Sequence, residues 1–207
     1  CGCRMNILVL AAANTNIFIL HPHNRISPIQ RKQMTTIKDD NVFNIALTNG
    51  GTFDDCQEIV KSIFRKWDTS LNDDTSLVAV NSINWVRIIG QIIYYFYVAL
   101  QLNSPKQALS FAVPTGNFGD IFAGYMAKKM GLPIDRLIIA TNENNILHRF
   151  LEDNKYSKQN MKHTLSPSMD IQVSNNFERL LFDMYDSDSE KVNNLMVGFK
   201  ETGNITV

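Results

Sequence analysis

Apolar positions fall into two rhythms along this chain, short runs of strand length and longer stretches at helical spacing, and the switches between them delimit the elements. Residues 5–13 and 16–20 are apolar runs, the second closed by His21-Pro22-His23-Asn24. Ser27-Pro28 reads as an N-cap followed by proline at the first helical position, which opens a helix to about Met34. Residues 42–48 alternate and favour β-branched side chains, predicting a strand that Asn49-Gly50-Gly51 breaks. Asp54 or Asp55 can cap the following helix, whose apolar face is Cys56, Ile59, Val60, Ile63, Phe64 and Trp67. A polar loop over 68–76 leads to a short strand at 77–80. Asn81-Ser82 then starts a long helix with Ile83, Val86, Ile89, Ile93, Phe96 and Leu100 on its apolar side. Tyr94, Tyr95, Phe96 and Tyr97 crowd its second half, which predicts cover on more than one side.

The clearest change of rhythm comes next. Residues 109–113 form a strand-length apolar run stopped by Pro114 and Gly116, and from Phe118 the spacing turns helical through Ile121, Phe122 and Tyr125. Lys128 and Lys129 suit a last helical turn, Gly131 suits a left-handed position after it, and Pro133 prevents continuation. A strand over 137–140 and helices over 144–151, 177–185 and 189–199 complete the pattern, with a polar loop over 153–167. Strands alternating with helices predict an α/β fold, an open and mainly parallel sheet flanked by helices. The change of character divides the chain into a central α/β portion, 1–153, and a helical continuation, 154–207.

Composition narrows the function classes. Twenty basic and twenty acidic residues among 207 cancel, so nothing favours nucleic acid or an anionic membrane surface as partner. No apolar run reaches membrane-spanning length, since Arg4, Asn14 and Asn16 interrupt the first. That opening run shares basic and apolar features with a short signal peptide, but a core strand or helix of a longer protein fits it better. Cys1, Cys3 and Cys56 are odd in number and poorly spaced for disulfides, which points to a reducing, cytoplasmic setting.

Candidate chemistry concentrates at one turn. Gly116-Asn117-Phe118-Gly119-Asp120 places several backbone N–H groups at a helix N-terminus, where geometry and dipole favour an anion such as phosphate. Gly116, Gly119 and Gly124 do not fit G-x-G-x-x-G, and no G-K-[ST] follows, so dinucleotide and P-loop fingerprints fail. Asn81-Ser82-Ile83-Asn84-Trp85 also gathers polar groups where a strand should give way to a helix, either as a second ligand-facing loop or as N-capping by Asn81 or Ser82. Cys1-Gly2-Cys3 and His21-Pro22-His23 lack zinc-ligand spacing. No G-x-S-x-G occurs, Cys56 lies in an apolar stripe, and His148 and His163 have no partner that the sequence identifies.

Six long words then read together: FILHPHNRISPIQRKQMTT (18–36), GTFDDCQEIVKSIF (51–64), VNSINWVRIIGQIIYYFY (80–97), VPTGNFGDIFAGYMAKKMGLPI (113–134), IATNENNILHRF (139–150) and LSPSMDIQVSNNFERLLF (165–182). In this order they resemble the threonine synthase family in its fungal and bacterial branch, from about Asn16 to Tyr185. The resemblance implies part of a two-domain enzyme of fold type II that uses pyridoxal 5′-phosphate. The reaction implied converts the small-molecule substrate O-phospho-L-homoserine and water to L-threonine and phosphate. It assigns the cofactor phosphate to Gly116, Asn117, Phe118 and Asp120, with Gly119 keeping the turn tight, and places Asn81, Ser82 and Asn84 in the neighbouring substrate region.

The family's Schiff-base lysine belongs to a Phe-Lys-Asp motif upstream of residue 1, before a Ser-Gly-Asp-Thr-Gly loop that residues 1–13 do not match. Phe199-Lys200-Glu201 mimics the lysine motif on the wrong side of the phosphate turn, and Lys200 reads as a solvated helix residue. The downstream Thr or Ser that meets the pyridine nitrogen is not found either. The expectation is therefore a central fragment, with no catalytic residue of its own and no activity by itself. The alternative is a non-catalytic fragment or paralogue that binds a phosphate-bearing ligand.

Overall fold

Local sequence sets most of the elements in the computed structural model, which describes residues 14–67, 76–102, 104 and 106–207. The chain divides into two units, Cys1–Ala79 and Val80–Val207. The run at 5–13, the Cys1-Gly2-Cys3 triplet and most of the 68–76 loop lie outside the described residues.

In the first unit, β1 (Ile17–Pro22) pairs in parallel with β2 (Val42–Leu47), joined through α1 (Pro28–Thr35). Ser27 caps α1 as expected, its Oγ accepting from the Gln30 N–H at 3.2 Å. The next helix, α2 (Phe53–Lys66), starts differently from the sequence reading. Thr52 is its N-cap, and Asp55 completes a capping box by accepting from the Thr52 N–H at 2.7 Å. Asp55 thus sits at the third helical position, where a carboxylate reaches back to the cap. Of the predicted apolar face of α2 only Cys56 is buried; Ile59, Ile63 and Phe64 are exposed.

The second unit begins with a correction. Residues 76–80 form no strand, and the helix α3 (Trp85–Gln101) is capped by Asn84, whose Oδ1 accepts from the Val86 N–H at 3.0 Å. Asn81 makes an Asx turn one step earlier, accepting from the Ile83 N–H at 2.9 Å. The buried stripe of α3 is Ile88, Ile92, Tyr95 and Ala99, not the predicted one. Val86, Ile89, Ile93 and Leu100 are exposed together with Tyr94 and Tyr97, so the helix is covered on one side alone within the described residues.

The strand β3 (Leu109–Pro114) runs into α4 (Gly119–Lys129) and pairs in parallel with β4 (Ile134–Ala140). α5 (Ile146–Asp153) follows, then β5 (Lys155–Ser157), α6 (Phe177–Met184), α7 (Ser189–Thr202) and β6 (Asn204–Thr206). β5 and β6 form an antiparallel pair within stretches that the sequence read as loop or tail. The architecture is α/β, with parallel strand pairs flanked by helices. The core of this unit packs α3 and α4 against β3 and β4, and continues through Phe150, Tyr156, Phe177, Leu181 and Phe199. Tyr156 and Phe177 stack at 4.7 Å, both almost wholly buried. Close approach of α3 to α4 depends on Gly124, where a Cβ would stand 2.7 Å from the Tyr95 ring.

Candidate binding site

β3 ends by handing its last donor to the neighbouring strand: the Thr115 N–H bonds to the Ala140 carbonyl at 2.8 Å. The chain then turns through Gly116 and Asn117 into Phe118, the N-cap of α4, which adopts the left-handed conformation at φ 65° and ψ −1°. A bulky residue in that region costs about 1–2 kcal/mol relative to right-handed backbone, so something must hold it there. The Phe118 ring is buried and meets Phe177 edge-to-face at 5.7 Å, which anchors it in the aromatic cluster. The αL cap therefore follows from the burial of its side chain.

This conformation sorts the polar groups of the turn by sign. Its acceptors all face protein donors. The Gly116 carbonyl accepts from Ser174 Oγ at 2.6 Å, the Asn117 carbonyl from the Asn176 N–H and Nδ2 at 3.1 and 2.9 Å, and the Phe118 carbonyl from the Phe122 N–H at 3.0 Å. The N–H groups of residues 117–121 meet no acceptor among the described residues. Engaged acceptors beside unused donors, at the positive end of a helix, are the kind of group that favours an anion.

Two glycines let the turn pack closely against the side chains behind it. A Cβ at Gly116 would lie 2.7 Å from Ile171 Cδ1, and one at Gly119 would touch Asn176, Ile88 and Ser82 at 3.4 Å. Asp120 lies in the first turn of α4, and its carboxyl is raised above its ordinary value by desolvation, with Arg87 pulling the other way. Its carbonyl accepts from the Tyr95 hydroxyl at 2.9 Å, tying the turn to α3.

The structure brings Ser82 beside Gly119, so the 81–84 turn does adjoin the glycine turn. It does so as a bend before α3 rather than as the loop after a strand. The oxygens of Asn81 and Asn84 are engaged by the Ile83 and Val86 N–H groups, so both residues shape this bend. The loop that shares the carboxyl edge of the β3–β4 pair is the one after β4. There Asp170, buried, accepts from Asn142 Nδ2 at 2.8 Å, Asn144 Nδ2 at 3.1 Å, Thr164 Oγ1 at 2.6 Å and the Thr164 N–H at 3.0 Å. This knot fixes the start of the segment that continues through Ile171 to Asn176.

Ser174, Asn175, Asn176 and Arg179 escaped the reading of the sequence as site residues. Their signal is the polar triplet Ser174-Asn175-Asn176 between apolar Val173 and Phe177, but nothing local says which turn it serves.

The other candidates stay apart from this site. His21 is buried with Nε2 2.8 Å from Asn44 Oδ1, whereas His23 is exposed, and no metal-holding group of His, Cys, Asp and Glu occurs among the described residues. Burial and the Asp55 charge push the Cys56 thiol up to about 11, away from thiolate chemistry. His148 pairs with Glu152 at 3.4 Å on an exposed helix face, and Lys200 is an exposed residue of α7.

Fold and site together define an α/β protein in which a parallel strand runs through a glycine turn into a helix that presents unused main-chain donors. Comparison with known proteins carries this further. Over 94% of its length the chain is homologous to threonine synthase from Pseudomonas aeruginosa, with 57% identity over 194 residues, and over 82% to threonine synthase from Saccharomyces cerevisiae, with 55% identity over 172 residues. Among solved structures it is similar to a pyridoxal-phosphate-bound threonine synthase from Brucella melitensis, with a TM-score of 0.78 and 53% identity over 94% of this chain. The yeast threonine synthase structure gives a TM-score of 0.77 and 46% identity over 99% of this chain. The chain spans 33–40% of the length of these curated relatives and 41–42% of the two solved chains. No family model matches it.

Proposed function

We propose that this chain carries the cofactor-phosphate portion of a threonine synthase, the pyridoxal 5′-phosphate enzyme that converts O-phospho-L-homoserine and water to L-threonine and phosphate. The single observation that supports this reading is the row of unused N–H groups over residues 117–121, opposite acceptors that are all engaged. Those donors, on a turn that two glycines let pack closely against Ile171 and Asn176, fit the phosphate of the cofactor. When bound, pyridoxal phosphate supplies the electron sink that such chemistry requires.

The residues of this chain bind and orient. Gly116, Asn117, Phe118 and Asp120 hold the phosphate, chiefly through the main chain, since the Asp120 carboxyl would repel a phosphate when ionised. Ser82, beside Gly119, and the Asn81 and Asn84 bends contribute the wall toward the substrate. The buried, free Cys56 accords with a cytoplasmic setting, and no helix among the described residues is long and apolar enough to cross a membrane.

Equilibrium dialysis of the 207-residue chain with pyridoxal 5′-phosphate and with pyridoxal tests the site. The phosphate ester should be held at least about tenfold more tightly, roughly 1.4 kcal/mol. G116V should abolish that preference, because the added methyls run into Ile171 and the backbone at Met169. Equal retention of both probes by the unaltered chain would sink the phosphate assignment. For the reaction itself, release of threonine and phosphate from O-phospho-L-homoserine by the protein at the full length of its relatives is the measurement.

A further inference from the structure

Arg179 on α6 spans the two turns of the site. Its Nε donates to Asn176 Oδ1 at 3.0 Å, its Nη2 donates to the Ile83 carbonyl at 2.7 Å, and its guanidinium lies over the Trp85 ring at 5.2 Å. Asn176, 1% exposed, in turn places both of its N–H donors, main-chain and side-chain, on the Asn117 carbonyl. One continuous path thus runs from the 81–84 bend through Arg179 and Asn176 to the carbonyl whose orientation fixes the peptide plane between Asn117 and Phe118. That plane also carries the Phe118 N–H, so turning the carbonyl toward Asn176 turns the donor the other way.

We propose that Asn176 and Arg179 are positioning residues that hold the Asn117 peptide with its N–H side outward and lock the glycine turn to the 81–84 bend. This rests on the reading of that turn as the phosphate site. The guanidinium suits the task because it presents fixed, planar donors to two acceptors and a flat face to an indole at once. A lysine ammonium keeps the charge but cannot reproduce all three contacts. Asn176 has both a donor and an acceptor on one amide, so a single side chain receives the Arg179 bond and passes a bond to Asn117.

The experiment compares the unaltered chain with R179K and N176S, using pyridoxal 5′-phosphate, pyridoxal and inorganic phosphate as probes. R179K preserves charge, and N176S introduces none, so neither alters the electrostatic attraction of phosphate directly. Each should lower the preference for pyridoxal 5′-phosphate over pyridoxal by about tenfold and weaken competition by inorganic phosphate to the same degree. The affinity for pyridoxal and the far-ultraviolet circular dichroism should stay in place. A merely structural role would lower the affinity for both probes alike. Preference retained in R179K or N176S overturns the proposal while leaving the phosphate reading intact. Absence of preference in the unaltered chain overturns the phosphate reading and this proposal with it. Loss of the folded state in the conservative R179K also overturns the proposal, because it makes Arg179 part of the scaffold.

Discussion

At the scale of single residues, the turn is decided by what each side chain must avoid or reach. Phe118 takes a left-handed backbone because its ring is worth more in the aromatic cluster than the strain costs. Burying a Phe side chain contributes about 1.5–3 kcal/mol, against roughly 1–2 kcal/mol for the backbone. Gly124 is the converse case, a position where any Cβ collides with a buried ring. G124A should destabilise the fold by about 1–3 kcal/mol, the usual range for overpacking, visible as a lower urea midpoint with unchanged slope. Little change in that midpoint would mean that α3 and α4 can separate at no cost. The residues 116–120 were legible in the sequence because glycine, a switch of period and a helix start coincide there. Ser174, Asn176 and Arg179 were not, since their contacts reach 58, 59 and 96 residues along the chain.

Four helices, α1, α2, α3 and α7, start on a side-chain cap, and the hydrophobic pattern is a weaker guide. T52A should cost about 1 kcal/mol by removing half of the capping box of α2, and equilibrium unfolding of the Cys1–Ala79 unit in the intact chain would register it. α3 is the instructive failure. Its apolar residues surround the whole cylinder, so periodicity alone could not choose the buried face, and it chose the wrong one. Ile92 and Ile93 make the test, at 8% and 61% exposure. I92A should cost about 2–5 kcal/mol. I93K should stay within about 0.5 kcal/mol of the parent and reduce self-association, because an exposed apolar face of this breadth is adhesive. A large destabilisation by I93K would show that this face is covered in solution.

At the scale of the whole molecule, one ion pair among the described residues joins two helices. Tyr125 and Lys129 of α4 both donate to Asp183 of α6, the lysine at 2.5 Å. These bonds lower the Asp183 carboxyl below its ordinary value and raise the Lys129 ammonium and the Tyr125 hydroxyl. A depressed carboxyl contributes stability that is complete above its unfolded pKa and is lost as pH falls through the folded one. A raised lysine contributes stability that is lost only as pH rises through its folded pKa. The contact is therefore fully formed at neutral pH and weakens first in acid. D183N should flatten the acid limb of a stability-versus-pH profile measured by thermal unfolding. An acid limb identical to that of the parent would remove Asp183 from the account.

The sequence by itself determined the α/β class, the helix caps at Ser27, the strand–turn–helix unit around Gly116 and the likeness to threonine synthases, because each is written in neighbouring residues or in words long enough to be specific. Tertiary structure alone decided which face of α3 is buried and that Ser174, Asn176 and Arg179 stand behind the glycine turn. The reason is range. Caps and turns are settled within four residues by local hydrogen bonds. The orientation of a peptide plane in the site is settled by acceptors and donors that only folding brings together.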